Sequence, residues 1–141
     1  MAVSVNDQPK PRSVKSKFFS IARTDTTAAI KAWLPKDSFI VGMWVIGSAA
    51  SDAGTAATID VGTSATSTEL LASFDVKTAA TGEGFVQAGA AAVGSAFASR
   101  RTADTPIYAK YTESGTASAA GAWTVRIDFF VGYGQGDLIN G

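Results

Sequence analysis

Residues 123–133 read Trp-Thr-Val-Arg-Ile-Asp-Phe-Phe-Val-Gly-Tyr. Trp123, Val125, Ile127, Phe129, Val131 and Tyr133 occupy every second position, with Thr124, Arg126, Asp128, Phe130 and Gly132 between them. Side chains of an extended chain alternate between two faces, so this spacing is that of a strand with one face reserved for a core. Eleven residues at period 2 leave no helical alternative.

The same rhythm extends outward from this strand. Ile107, Ala109 and Tyr111 alternate with Tyr108, Lys110 and Thr112, and Ala57, Ile59 and Val61 alternate with Thr58 and Asp60. Leu70, Ala72, Phe74 and Val76 are expected inward, against Leu71, Ser73 and Asp75. In Phe39–Ile46, Phe39, Val41, Met43 and Val45 are expected on one face and Ile40, Trp44 and Ile46 on the other. Both faces being apolar, this strand is central or covered by a neighbouring subunit. Val14 to Ile21 turns strand-like after the prolines, whereas Ala28–Leu34 fits either a short strand or a helical turn. Between Lys77 and Pro106, Phe85–Gln87 starts another strand and Ala90–Phe97 is a strand or short helix, with part of the segment projecting toward a partner.

Composition points the same way. Val, Ile and Thr supply 34 β-branched residues, against 4 Leu and 3 Glu, a balance that favours strands over helices. Ala, Gly, Ser and Thr account for 69 of the 141 residues, suiting turns and close contacts. Seven to nine short strands with Gly-, Ser- and Thr-rich turns predict an all-β antiparallel β-sandwich, jelly-roll-like or of related Greek-key topology, with an extended N-terminal arm. The expected division is an arm over 1–12, the sandwich over 13–134 and a glycine-rich tail over 135–141.

The chain has no histidine and no cysteine, which removes the Ser-His-Asp triad, thiolate chemistry and the common zinc and iron ligand sets. A carboxylate pair drawn from Asp60, Glu69, Asp75 and Glu83 has no motif spacing, and the acids near Asp52 lack the ligand pattern of a calcium loop. Gly132-Tyr133-Gly134-Gln135-Gly136 is not followed by a helix-forming segment or by Gly-Lys-Ser/Thr, so it is no phosphate loop. No enzyme activity, cofactor or metal is expected.

Net charge is zero, yet residues 1–23 hold Lys10, Arg12, Lys15, Lys17 and Arg23 against Asp7, a local excess of four positive charges. A basic arm on an acidic body suits docking on an acidic protein surface. Nucleic acid is the sharper reading of the arm, and a solvated arm is preferred to it. Lys10, Arg12, Lys15 and Lys17, the pair Arg100 and Arg101, and Trp44 are the candidate partner-binding residues. No apolar run is long enough to cross a membrane and the N-terminus lacks a signal-peptide core, so synthesis in a cytoplasm is expected.

The succession WLPKDSFIVGMWVIGSAASDAGTAATIDVGTS, TELLASFDVKTAATGEG and TPIYAKYTESGTASAAGAWTVRIDFFVGY, covering residues 33–133, resembles small virion proteins of tailed bacteriophages. The resemblance lies in strand rhythm and composition. It implies a capsid cement or decoration protein, a jelly-roll-like dimer or trimer that clamps major capsid protein subunits on the outside of the shell. Two other classes stay open, a carbohydrate-binding module with exposed aromatics and a tail, neck or fibre component of a virion.

Overall fold

A computed structural model describes residues 13–77 and 99–132 and the backbone of 85–87. The arm residues Lys10 and Arg12, the tail 135–141, Tyr133 and the Ala90–Phe97 segment lie outside the described residues.

Eight strands follow in order: β1 (Lys15–Ala22), β2 (Ala29–Leu34), β3 (Ser38–Ala49), β4 (Ala56–Gly62), β5 (Leu71–Asp75), β6 (Phe85–Gln87), β7 (Thr105–Ser114) and β8 (Ala122–Val131). Ala28–Leu34, readable either way in the sequence, is thus mostly strand. One sheet runs β1-β8-β3-β6 and the other β2-β7-β4-β5. All pairings are antiparallel, and they nest: β1 with β8, β2 with β7, β3 with β6 and β4 with β5. A chain laid out as one long hairpin and then rolled, so that β8 meets β3 and β7 meets β4, has this order. It is the eight-stranded jelly roll.

The core lies between the sheets. The first sheet contributes Phe19, Ile21, Ile40, Met43, Val45 and the β8 row Trp123, Val125, Ile127 and Phe129. The second contributes Leu34, Ala57, Ile59, Val61, Leu71, Ile107, Ala109 and Tyr111. The alternation read from the β7 and β8 sequences is reproduced over the described residues, and Trp123 stacks on Tyr111 across the core at 5.4 Å between ring centres.

Three strands depart from regular pairing: β2 shifts register between Ile30 and Ala32, and β3 and β5 also change which side chains face the core. In β3, Ile40 pairs with Phe129 and Gly42 with Asp128, leaving Val41 as an unpaired bulge that is 46% exposed. The bulge resets the phase, so Ile40, Met43 and Val45 face the core while Phe39, Trp44 and Ile46 face out. The expected grouping of Phe39 and Val41 with Met43 and Val45 is therefore corrected: one inserted residue swaps every later side chain to the opposite face. In β5, Phe74 pairs with Ile59 and Leu71 with Val61, so two residues of β5, Ala72 and Ser73, oppose Asp60 alone. Ser73 has φ of 49°, and its N–H donates to Asp60 Oδ1 at 2.7 Å. Leu71 is consequently buried and Ala72 exposed, the reverse of the alternation expected there.

These positions make contrasting mutational expectations. Ile127→Ala deletes a fully buried side chain from the middle of β8 and should cost about 2–5 kcal/mol in urea unfolding. Val41→Thr alters an exposed bulge and should stay within about 1 kcal/mol of the parent.

Candidate interaction surfaces

The outward face of the β1-β8-β3-β6 sheet carries a row of large side chains. Register aligns Phe18 of β1, Arg126 of β8 and Trp44 of β3 across three strands. The Arg126 guanidinium lies 5.0 Å from the Trp44 ring centre and 6.0 Å from that of Phe18, so the cation bridges two aromatic faces. It is also held by Asp128, with Nε donating to Oδ1 at 2.7 Å and Nη2 to Oδ2 at 2.8 Å. Ser16 Oγ donates to the same Oδ1 at 2.6 Å. Burial alone would raise the Asp128 carboxyl, but the hydrogen bonds from Arg126 and Ser16 outweigh it and hold the group below its ordinary range. The Trp44 ring rests over Gly42, where a Cβ would stand 2.3 Å from a ring carbon. Only a residue without a side chain lets the indole lie flat there. Farther along, Phe39 and Phe130 stack at 5.1 Å. With Phe18 58% exposed, the result is an aromatic surface whose charges are internally paired.

The sequence singled out Trp44 on this face but not Phe18, Arg126 or Asp128. Arg126 and Asp128 sit two apart on one strand face, which is legible. That they meet Phe18 and Trp44 is a matter of register between strands distant in the chain.

The described basic candidates gather at one end of the sandwich. Lys15 pairs with Phe129, itself opposite Ile40 of β3. Just ahead of β3, the Asp37 N–H donates to the Arg101 carbonyl at 2.7 Å, and the Arg101 N–H donates to the Ser38 carbonyl at 3.0 Å. Arg100 lies 3.6 Å from the Asp37 carboxylate, so Arg100 and Arg101 fasten the segment before β7 to the start of β3. Burial pushes the Arg101 guanidinium below its ordinary value, with Glu69 acting in the opposite sense. At the same end, Lys15, Ser16, Lys17, Trp33, Leu34, Pro35, Asp104 and Phe129 line a cleft of about 520 Å³.

The other end is closed by a polar latch. Tyr111, fully buried, donates its hydroxyl to Glu113 Oε2 at 2.8 Å and lies 2.7 Å from Ser51 Oγ. The Ser118 N–H donates to the same Glu113 oxygen at 3.1 Å, and Asp52 Oδ1 accepts from the N–H groups of Ala119 and Ala120. Donation from Ser118 and then Tyr111 lowers the Glu113 carboxyl, and the Ala120 N–H leads the lowering of Asp52. Of the acids weighed for catalysis, Asp60 accepts from Ser73 N–H, Asp75 from Lys77 N–H and Glu69 from Thr63. Asp60 thus supports the β5 bulge, while Asp75 and Glu69 hold a strand end and a turn. Among the described residues no group of three or more acidic side chains is placed to hold a metal ion. Glu83 lies outside the described residues.

No protein-family model matches the sequence, and no curated protein does. Solved structures do match the fold. A chain in the capsid asymmetric unit of cyanophage Pam1 superposes with a TM-score of 0.63 at 19% identity, covering 94% of both chains. A chain of the capsid of Ralstonia phage GP4 gives 0.55 at 17% identity, covering 95% of this chain and 93% of that one. A chain of the acidic stable capsid of Helicobacter pylori bacteriophage KHP30 gives 0.56 at 10% identity, covering 85% and 93%. At these identities the likeness is one of fold, shared over 85–95% of this chain with chains of phage capsids.

The carboxylates of the latch and of the aromatic face together predict the sign of a pH dependence. Asp52, Glu113 and Asp128 all titrate below their ordinary values in the folded chain, so their stabilisation is complete at neutral pH and is lost as pH falls through the carboxylate range. Urea midpoints should hold steady near neutrality and decline below about pH 5. Glu113→Gln should make that decline shallower. A midpoint that rose on acidification would contradict the latch.

Proposed function

We propose that this chain is a structural virion protein that binds the outside of a phage capsid and stabilises contacts between major capsid protein subunits. The observation that carries the reading is the jelly roll shared over 94% of its length with a chain of a phage capsid. The sequence has no histidine or cysteine, and each described acid weighed for catalysis, Asp60, Glu69 and Asp75, is engaged by a backbone N–H. In this reading the protein is no enzyme and needs no cofactor.

Two surfaces would meet the partners. The aromatic face around Trp44 offers apolar area with paired charge, a composition that can be buried without stranding an ion. The basic end offers Lys15, Lys17, Arg100 and Arg101 for acidic groups of a shell subunit, and Lys10 and Arg12, outside the described residues, are the further basic candidates of the sequence. A second copy of the chain would occupy part of this surface in a dimer or trimer. Binding to assembled shell alone stabilises it by mass action, and many copies on one closed lattice add avidity, so each contact can be modest.

The reading is tested by sedimenting particles from a native lysate and quantifying the chain in them by mass spectrometry. A copy number comparable to the most abundant shell protein is expected. A handful of copies per particle would reassign the chain to a tail, neck or fibre. Absence from particles would overturn the virion role and leave the sugar-binding module to be tested on a glycan array.

A further inference from the structure

On β1 the side chains facing the second sheet are Lys15, Lys17, Phe19 and Ile21. Ile21 and Phe19 are buried at 1% and 7%, whereas both lysines are exposed. Charged groups on a core-facing row need a reason. The two edge strands supply it: β1 ends one sheet, β2 ends the other, and the short turn over 23–28 joins them. They lie together at that turn and splay toward Lys15 and Leu34, opening the cleft. Its floor is apolar, with Leu34 and Phe129 almost fully buried and Trp33 52% exposed on the wall. Among the described residues neither lysine has an ion pair, and the edge of β1 away from β8 has no strand partner.

We propose that the open edge of β1 receives an extended segment of the shell protein in which acidic residues alternate with apolar ones. This rests on the virion reading and names the partner chemistry at its basic end. A strand added to a sheet edge gains main-chain hydrogen bonds, and its alternate side chains set specificity. Lys15 and Lys17 lie two residues apart on one face, roughly 6.6 Å along the strand. Acids two apart in the incoming segment repeat that spacing and face both lysines across the pair. The residues between those acids turn to the outer face, beside Ser16 and the exposed Phe18, where an apolar side chain extends the aromatic surface. Neutral or basic segments would leave both ammonium groups facing only Asp104, the one acid among the residues that line the cleft, whose Oδ1 already accepts from the Lys36 N–H.

The probe is a fluorescein-labelled peptide, acetyl-Thr-Asp-Val-Glu-Phe-Thr-amide, titrated with the full chain and followed by anisotropy. Saturable binding that weakens with added salt is expected. Lys15→Glu with Lys17→Glu should weaken it at least about tenfold, which corresponds to about 1.4 kcal/mol. The same double variant should instead bind a peptide carrying Lys at both acidic positions. That exchange of preference cannot come from mere loss of folding. Three results would overturn the proposal: no binding at millimolar peptide, equal binding of the Asn/Gln peptide, or binding that appears only after residues 137–141 are removed. The last would assign the cleft to the chain's own Asp137-Leu138-Ile139. Particle sedimentation separates the two readings. Wild-type chain absent from particles defeats the virion role, whereas wild type and the double variant bound equally well defeat only this inference.

Discussion

The inner row of β8 governs the rest of the molecule. Trp123, Val125, Ile127 and Phe129 must leave water together, and β8 can bury them only by lying in mid-sheet with another sheet across from it. Pairing β8 to β1 on one side and β3 on the other meets the first need. The Tyr111–Trp123 stack, with Tyr111 on β7, meets the second. Since β7 and β8 then sit in opposite sheets, every pair nested inside them is divided likewise, and the roll follows.

Burying one face of that sheet determines what its other face can be. The outward positions of β8 are Thr124, Arg126, Asp128 and Phe130, and they are flanked by Phe18, Trp44 and Phe39 from the neighbouring strands. A guanidinium among aromatic rings keeps favourable contacts where water is sparse, and its carboxylate partner removes the net charge. The face is thus apolar in area and neutral in charge. The basic end differs in kind, because there the sheets part and lysines replace core residues on the same strand row. One surface suits close packing against a partner and the other suits recognition of acidic groups.

Much of this was readable before any fold was known. The alternation in 107–112 and 123–131 located β7 and β8 and their inward residues, and the scarcity of Leu and Glu argued against helices. Trp44 was identifiable as a candidate contact because its strand is apolar on both faces. The exchange of faces at Val41 was not readable, because a bulge consists of one residue whose partner is missing, and partners belong to another part of the chain. Leu71 and Ala72 were misassigned for the same reason, with Ser73 taking a left-handed conformation that Asp60 supports.

An all-β chain, its stronger strands, its lack of histidine and cysteine and the basic bias of its first residues are all legible along the chain. These depend on side-chain type and on a period of two residues, and both are local. Only the tertiary structure decided the nested pairing, the Phe18–Arg126–Trp44 row and the cleft where Lys15 and Lys17 meet Trp33 and Phe129. Such juxtapositions join residues up to about a hundred positions apart, and register is set where two distant strands minimise buried polar area and exposed apolar area together. No single segment carries that information.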